Sequence, residues 1–316
     1  MQKETKQIGL DRITLTVNES EITVKEDVEL FKVNIKDGTI VVRPNGVNRD
    51  KVDINITLPK LFDCTNENNV SVDDFEYLIP VIQDTLESDG VLLDVANARL
   101  GSFEVNFNVN DSKFYDVFEL ISKANIHDNL KAFKVENKDG IQSVKIKKNK
   151  YTVKIYKKSE HLMETFKPVE EEFVVRFEVS TNNYTQKERL LGKDVTLQGL
   201  IENWSTVEDW YKACIKNTIK KPVEKYVSDM EKQCTERLKQ GVKPSVLANE
   251  MIYRQDMVDM IVFDNVMKKH YKSINKKPTN TIKATHNRLK KLDETRYNQT
   301  TGNVSKLQEL YDLIGV

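Results

Sequence analysis

The sequence predicts an α+β protein: an antiparallel sheet with helices on one face, followed by an all-α C-terminal region. Three observations carry this. Through roughly the first 180 positions, segments of alternating apolar and polar residues recur, the period-2 pattern of half-buried strands. Between them, two stretches space their apolar residues by three and four, the helical period. Beyond about residue 195 only helical spacing remains, so the expected domains are 1–195 and 196–316. A chain of 316 residues is long enough for one large or two smaller domains.

The elements follow in order. DRITLTV, ELFKVNIKDGTIVVRP and KVDINITL read as strands, with KDGT turning the chain between Ile35 and Ile40. SVDDFEYLIPVIQDTLESDG reads as a helix from an N-cap at Ser71 to Gly90, with Phe75, Leu78, Ile79, Ile82 and Leu86 as its apolar stripe. Pro80 removes one backbone donor there, so a kink is expected. GSFEVNFNV alternates, with Phe103, Val105, Phe107 and Val109 on one face and Glu104, Asn106 and Asn108 on the other. Asp111 then caps a helix whose buried stripe is Phe114, Val117, Phe118 and Ile121. SVKIKKNKYTVKIY reads as a hairpin around Lys148 and Asn149, and EEFVVRFEVST as a strand with Arg176 and Glu178 on its polar side. The helical candidates are 200–220, 222–240, 245–273, 279–292 and 304–314, broken at GVKPS and NKKPT.

Composition excludes several classes. The 49 basic and 49 acidic residues cancel, yet residues 212–296 hold 20 Lys/Arg against 10 Asp/Glu, an asymmetry that suits a polyanionic partner. The three cysteines are far apart and lack metal-ligand spacing, which fits a reducing cytosol. Neither a signal-like apolar start nor a run of about 20 apolar residues occurs, so a soluble, cytoplasmic protein without a membrane role is expected. Phosphate-binding loops and HExxH are absent, and four scattered histidines argue against histidine-based hydrolysis.

What remains is three strands with polar residues opposite their apolar faces: Glu104, Asn106 and Asn108; Lys154, Tyr156 and Lys158; Arg176 and Glu178. If the strands adjoin, these groups converge on an open surface. Carboxylates and amide oxygens can hold Mg²⁺ or Mn²⁺. A tyrosine among cations can act as a nucleophile once its proton is made easier to remove. Cross-strand ion pairs on an ordinary half-exposed sheet account for the same pattern.

Three segments in order also resemble the rolling-circle replication initiators of the Rep_trans family and the related relaxases of integrative conjugative elements. GSFEVNFNVNDSKFYDVFEL resembles the carboxylate-bearing strand and helix of that family, YTVKIYKKSEHL its tyrosine strand, and EEFVVRFEVS its arginine–glutamate strand. The likeness spans roughly residues 50–185. It departs where Ser102-Phe103-Glu104 stands for an Arg-hydrophobic-Asp pattern and where Asn108 replaces an acidic residue. The resemblance implies an initiator-nuclease fold. It also implies nicking and joining of origin DNA through a 5′-phosphotyrosyl link, which frees a 3′ hydroxyl for priming. On that reading Tyr156 attacks, Lys158 and Arg176 neutralise phosphate charge, and Glu104 and Glu178 bind the metal with Asn106 or Asn108. Lys154 and Lys157 then meet DNA at the nick, and Lys283, Arg288, Lys290 and Lys291 form a duplex-facing helix surface. A host helicase and a second copy of the chain are the expected further partners. A relaxase acting at a transfer origin, and a non-catalytic DNA-binding protein on the same fold, are the alternatives.

Overall fold

Alternation in 9–18, 51–57 and 100–110 produces the long strands of an antiparallel sheet in the computed structural model. The structure describes residues 7–26, 28–35, 38–62, 69–111, 114, 117–127, 131–137, 140–159, 174–244, 246–247, 250, 259–274 and 303–316. The strand-rich part holds β1 (Gly9–Asn18), β2 (Thr23–Val24), β3 (Asn34–Ile35), β4 (Ile40–Pro44), β5 (Lys51–Thr57), α1 (Leu58–Leu61), α2 (Phe75–Ser88), β6 (Val91–Leu92) and β7 (Leu100–Asn110). Then come α3 (Val117–His127), β8 (Lys131–Asn137), β9 (Gly140–Lys147), β10 (Thr152–Lys157) and β11 (Val174–Thr181). The helical part holds α4 (Tyr184–Leu191), α5 (Leu197–Glu202), α6 (Trp204–Ile215), a π-helical turn (Lys216–Lys220), α7 (Lys221–Lys239), α8 (Asp259–Ser273) and α9 (Asn303–Ile314).

The chain gathers into two units, Met1–Ser112 with Lys145–Cys214, and Lys113–Val144 with Ile215–Val316. The last described strand ends at Thr181 and the helices begin at Tyr184, ahead of the expected change near residue 195. The units, however, divide after Cys214, and the second takes in residues 113–144.

In the first unit the strands lie in the order β3-β4-β5-β1-β7-β11-β10, paired antiparallel. Ile13, Leu15, Ile54, Ile56, Phe103, Val105, Phe107, Val153, Ile155, Phe177 and Val179 form one continuous buried face. Helix α6 docks on it. Trp210 meets Phe103 edge-on at 5.6 Å and Tyr151 at 6.2 Å, and the Tyr211 hydroxyl donates to the Phe177 carbonyl at 2.9 Å. Trp204 meets Phe75 of α2 at 4.8 Å. Each such ring removed from water contributes about 1.5–3 kcal/mol. The expected boundary had placed this covering helix outside the sheet domain.

Helix α2 buries Phe75, Leu78, Ile82 and Leu86, with Ile79 at the margin. Ser71 and Asp74 close a capping box at its start, and Gly90, at φ 79°, turns the chain after its end. The helix runs through Pro80, which is exposed, so solvent can reach the carbonyl left without a donor. The first part of ELFKV is not a strand; Leu30–Lys32 form a 3-10 turn ahead of the short β3.

In the second unit α3 packs against α7 and α9, and α7 against α8. Phe114, Val117, Phe118 and Ile121 are all buried, as the stripe required. The π-helical turn stands directly before Pro222, whose missing N–H would otherwise interrupt an α-helical ladder. Arg237 and Glu250 form a two-point ion pair, and His127 Nε2 lies 2.9 Å from Asp229 Oδ2. The expected helix 279–292, with Lys283, Arg288, Lys290 and Lys291, lies outside the described residues, and so does Cys64. Among the described residues no helix is long and apolar enough to cross a membrane.

Candidate active site

The ladder registers bring the predicted polar residues together. Glu178 pairs with Asn106, Ser180 with Glu104 and Arg176 with Asn108; across the next ladder Tyr156 pairs with Arg176 and Lys154 with Glu178. Directly opposed residues share a face, so β7, β11 and β10 present one polar surface.

A fourth strand joins them. On β1, Arg12 pairs with Glu104 and Leu10 with Val105, and the register shift between them leaves Asp11 as the extra residue of a bulge. The bulge re-aims Asp11 onto the polar face, where the carboxylate oxygens of Asp11, Glu104 and Glu178 all lie within 4.8 Å of one another. Gly9 permits the turn into it. Leu10 exchanges backbone hydrogen bonds with Val70, both at 2.9 Å, and a Cβ at position 9 would strike the Val70 carbonyl. Asp11 was absent from the sequence-based set. A trace of it was there: Ile13, Leu15 and Val17 alternate, but the next apolar residue back is Leu10, three positions away rather than two.

Around the carboxylates the side chains are closely engaged. Arg176 donates from Nη1 to Asp11 Oδ1 at 2.7 Å and from Nε to Asn108 Oδ1 at 2.8 Å. The Tyr156 hydroxyl donates to Glu178 Oε2 at 3.3 Å. Lys154 Nζ stands 4.1 Å from the Tyr156 ring centre and Lys158 Nζ 5.6 Å. Asn106 is fully buried, and among the described residues neither polar atom of its side chain has a hydrogen-bond partner.

Burial sets the electrostatics. It pushes the Glu104 carboxyl up to about 7, aided by the charge of Glu178. Burial likewise holds the Tyr156 phenol well above its ordinary range, against the pull of Arg176. Lys158 is brought down to about 7, by burial first and then by the charge of Arg176. Burial also works against the Arg176 charge, but Asp11, Tyr156 and Glu178 outweigh it and keep the guanidinium protonated.

Several expectations need correcting. The surface is not open: Asp11, Tyr156, Lys158, Arg176 and Glu178 are each at most 8% exposed. Arg176 is wholly buried and donates to Asp11 and Asn108 instead of lying on an open surface. Asn108 correspondingly directs its amide oxygen at Arg176. Lys157 is buried and falls on the face of Val153 and Ile155, away from Tyr156, because alternation puts it there.

The donor set fits a hard divalent cation. Metal–oxygen distances of about 2.0–2.6 Å set ligand oxygens no more than about 4–5 Å apart, which Asp11, Glu104 and Glu178 meet. The unpartnered amide of Asn106, in register with Glu178, adds a buried oxygen in want of a partner.

No protein-family model and no curated protein matches the chain. Among solved structures, a rolling-circle replication initiator protein from Geobacillus stearothermophilus matches 67% of this chain and 85% of that chain, at 12% identity and a TM-score of 0.36. A likeness that distant leaves the site to be read from its own geometry.

Proposed function

We propose that the chain is a metal-dependent DNA strand-nicking and joining enzyme with Tyr156 as its nucleophile, acting at an origin to start rolling-circle replication. The observation that carries this is the tyrosine hydroxyl held against Glu178 within a cluster of three carboxylates. Glu178 orients the phenol through that hydrogen bond. Lys154 and Lys158, beside the ring, favour the phenolate as the proton leaves. Glu178 takes the phenol proton along that hydrogen bond. The phenolate oxygen forms a bond to phosphorus as the bond to the 3′ oxygen breaks, and the 3′ oxygen takes up a proton, leaving a 5′-phosphotyrosine and a free 3′ hydroxyl. Arg176 holds Asp11 in place from beneath. Asp11, Glu104, Glu178 and Asn106 would hold Mg²⁺ or Mn²⁺, which when bound supplies positive charge that polarises the scissile phosphate.

The burial of Tyr156 favours a second reading, a DNA-binding protein on this fold that does not cleave. Supercoiled DNA carrying the origin, incubated with the protein and Mg²⁺ or Mn²⁺, separates the two. Nicked product with protein attached at the 5′ phosphate is expected, and Tyr156→Phe should abolish both while DNA binding persists. An adduct formed by Tyr156→Phe, or equal cleavage in EDTA and in Mn²⁺, overturns the first reading. Binding without any nicking supports the second.

A further inference from the structure

The bulge that turns Asp11 into the carboxylate cluster also sets the next residue, Arg12, beside it. Arg12 pairs with Glu104 of β7 and with Thr57 of β5. Directly opposed residues share a face, so its side chain lies on the face that carries the site. Arg12 is exposed, whereas Lys158 and Arg176 are buried and Lys154 is half-buried opposite Glu178. Among the described residues of β1, β7, β11 and β10, it is the exposed cation of this face. Its charge reaches Glu104 and pulls that carboxyl down, although burial and Glu178 prevail. Yet among the described residues its guanidinium closes no ion pair and no hydrogen bond. The Glu104 carboxylate gathers with those of Asp11 and Glu178 instead.

Neither the fold nor a metal accounts for a cation there. An exposed, unpaired arginine adds little to stability. A positive charge beside carboxylates that hold a divalent ion opposes that ion. The polar residues next to it do not neutralise it: Ser102 donates to Thr14 and Thr14 to Asn55, each at 2.9 Å, a neutral chain that satisfies itself. An anionic ligand lying over the cluster removes the conflict, because it attracts both charges. The guanidinium presents paired N–H donors that match two oxygens of a phosphate. Strand β1 is three ladders from β10 in the order β1-β7-β11-β10. Arg12 and Tyr156 thus flank the carboxylates from opposite sides.

We propose that Arg12 is a phosphate-binding residue of this site, holding the DNA strand on the far side of the carboxylates from Tyr156. This rests on the reading of the chain as a DNA-cleaving protein, but its test needs no cleavage. The full chain carrying Tyr156→Phe, which cannot form an adduct, is compared with the same chain also carrying Arg12→Gln or Arg12→Lys. Calorimetry follows Mn²⁺ alone, and fluorescence anisotropy follows pentathymidylate in saturating Mn²⁺, since phosphate contacts carry no base sequence. Arg12→Gln should bind Mn²⁺ about threefold to tenfold more tightly, because a repelling charge is gone. It should bind pentathymidylate about tenfold more weakly, with a salt slope lower by about 0.7, one single-strand contact. Arg12→Lys keeps the charge without the fork, so it should restore the slope and the parent Mn²⁺ affinity but only part of the pentathymidylate affinity. An unchanged pentathymidylate affinity, or no binding of it by the parent chain, overturns the assignment. So does weaker Mn²⁺ binding by Arg12→Gln, which would make the arginine a prop for Glu104. Failure of the native chain to nick DNA overturns the proposed chemistry and leaves this outcome standing.

Discussion

Glu104 gives the sharpest quantitative test of the carboxylate cluster. Its carboxyl is held up at about 7, against 4.5 for an ordinary glutamate, by burial and by the neighbouring charge of Glu178. In the metal-free protein the folded state therefore keeps a proton that the unfolded chain has already released. Stability from this group is fully present below about pH 4.5 and is lost as the pH rises towards about 7. The interval corresponds to about 3 kcal/mol. Glu104→Gln removes the titration with little change of shape. In EDTA it should match the native protein near pH 4.5 and exceed it by up to about 3 kcal/mol near pH 8. For a unit of this size that is a rise in Tm of about 6–12 °C. Urea or thermal unfolding at the two pH values measures it. Saturating Mn²⁺ should then stabilise the native protein at pH 8 more than the variant. A difference between native and variant that does not change with pH would refute the placement of Glu104 in a desolvated, like-charged cluster.

Other groups in the fold make separate predictions. Arg176→Met leaves the Asp11 carboxylate buried without its partner and should cost about 3–5 kcal/mol in urea unfolding, part of it recovered by Mn²⁺. Asn106→Val removes a buried amide that has no partner, so the metal-free protein should gain about 1–3 kcal/mol while its affinity for Mn²⁺, read by calorimetry, falls. Tyr211→Phe removes the hydroxyl bond from α6 to the Phe177 carbonyl, costing about 0.5–1.5 kcal/mol of stability without changing metal affinity.

Where apolar residues alternated without interruption, the sequence was legible in detail. Phe103, Val105, Phe107 and Val109, with Val175, Phe177 and Val179, specify their faces so strongly that Glu104, Asn106, Glu178 and Tyr156 had only one side to occupy. Packing between distant segments was less legible. The helix that covers the sheet, α6, carries Trp204, Trp210 and Tyr211, and nothing local distinguishes those rings from the core of a separate helical domain. The 3-10 turn at Leu30–Lys32 fell in a run of strand-forming residues of which only Asn34 and Ile35 pair, with β4.

Asp11 and Arg176 mark the limit more closely. Arg176 was visible as a polar residue on a strand, and its spacing suggested a group offered to a ligand. Its actual partner is set by a bulge in a strand 165 residues away in sequence. A bulge shifts one residue to the opposite face, so period-2 reading assigns Asp11 to no useful position while the fold places it at the centre of the cluster. The same fact explains the burial of the arginine. A guanidinium withdrawn from water needs charged and polar acceptors around it, and Asp11 and Asn108 supply them at 2.7 and 2.8 Å. Replacing a carboxylate by Asn108 therefore need not weaken a metal site: the amide serves the arginine, and the third carboxylate comes from β1.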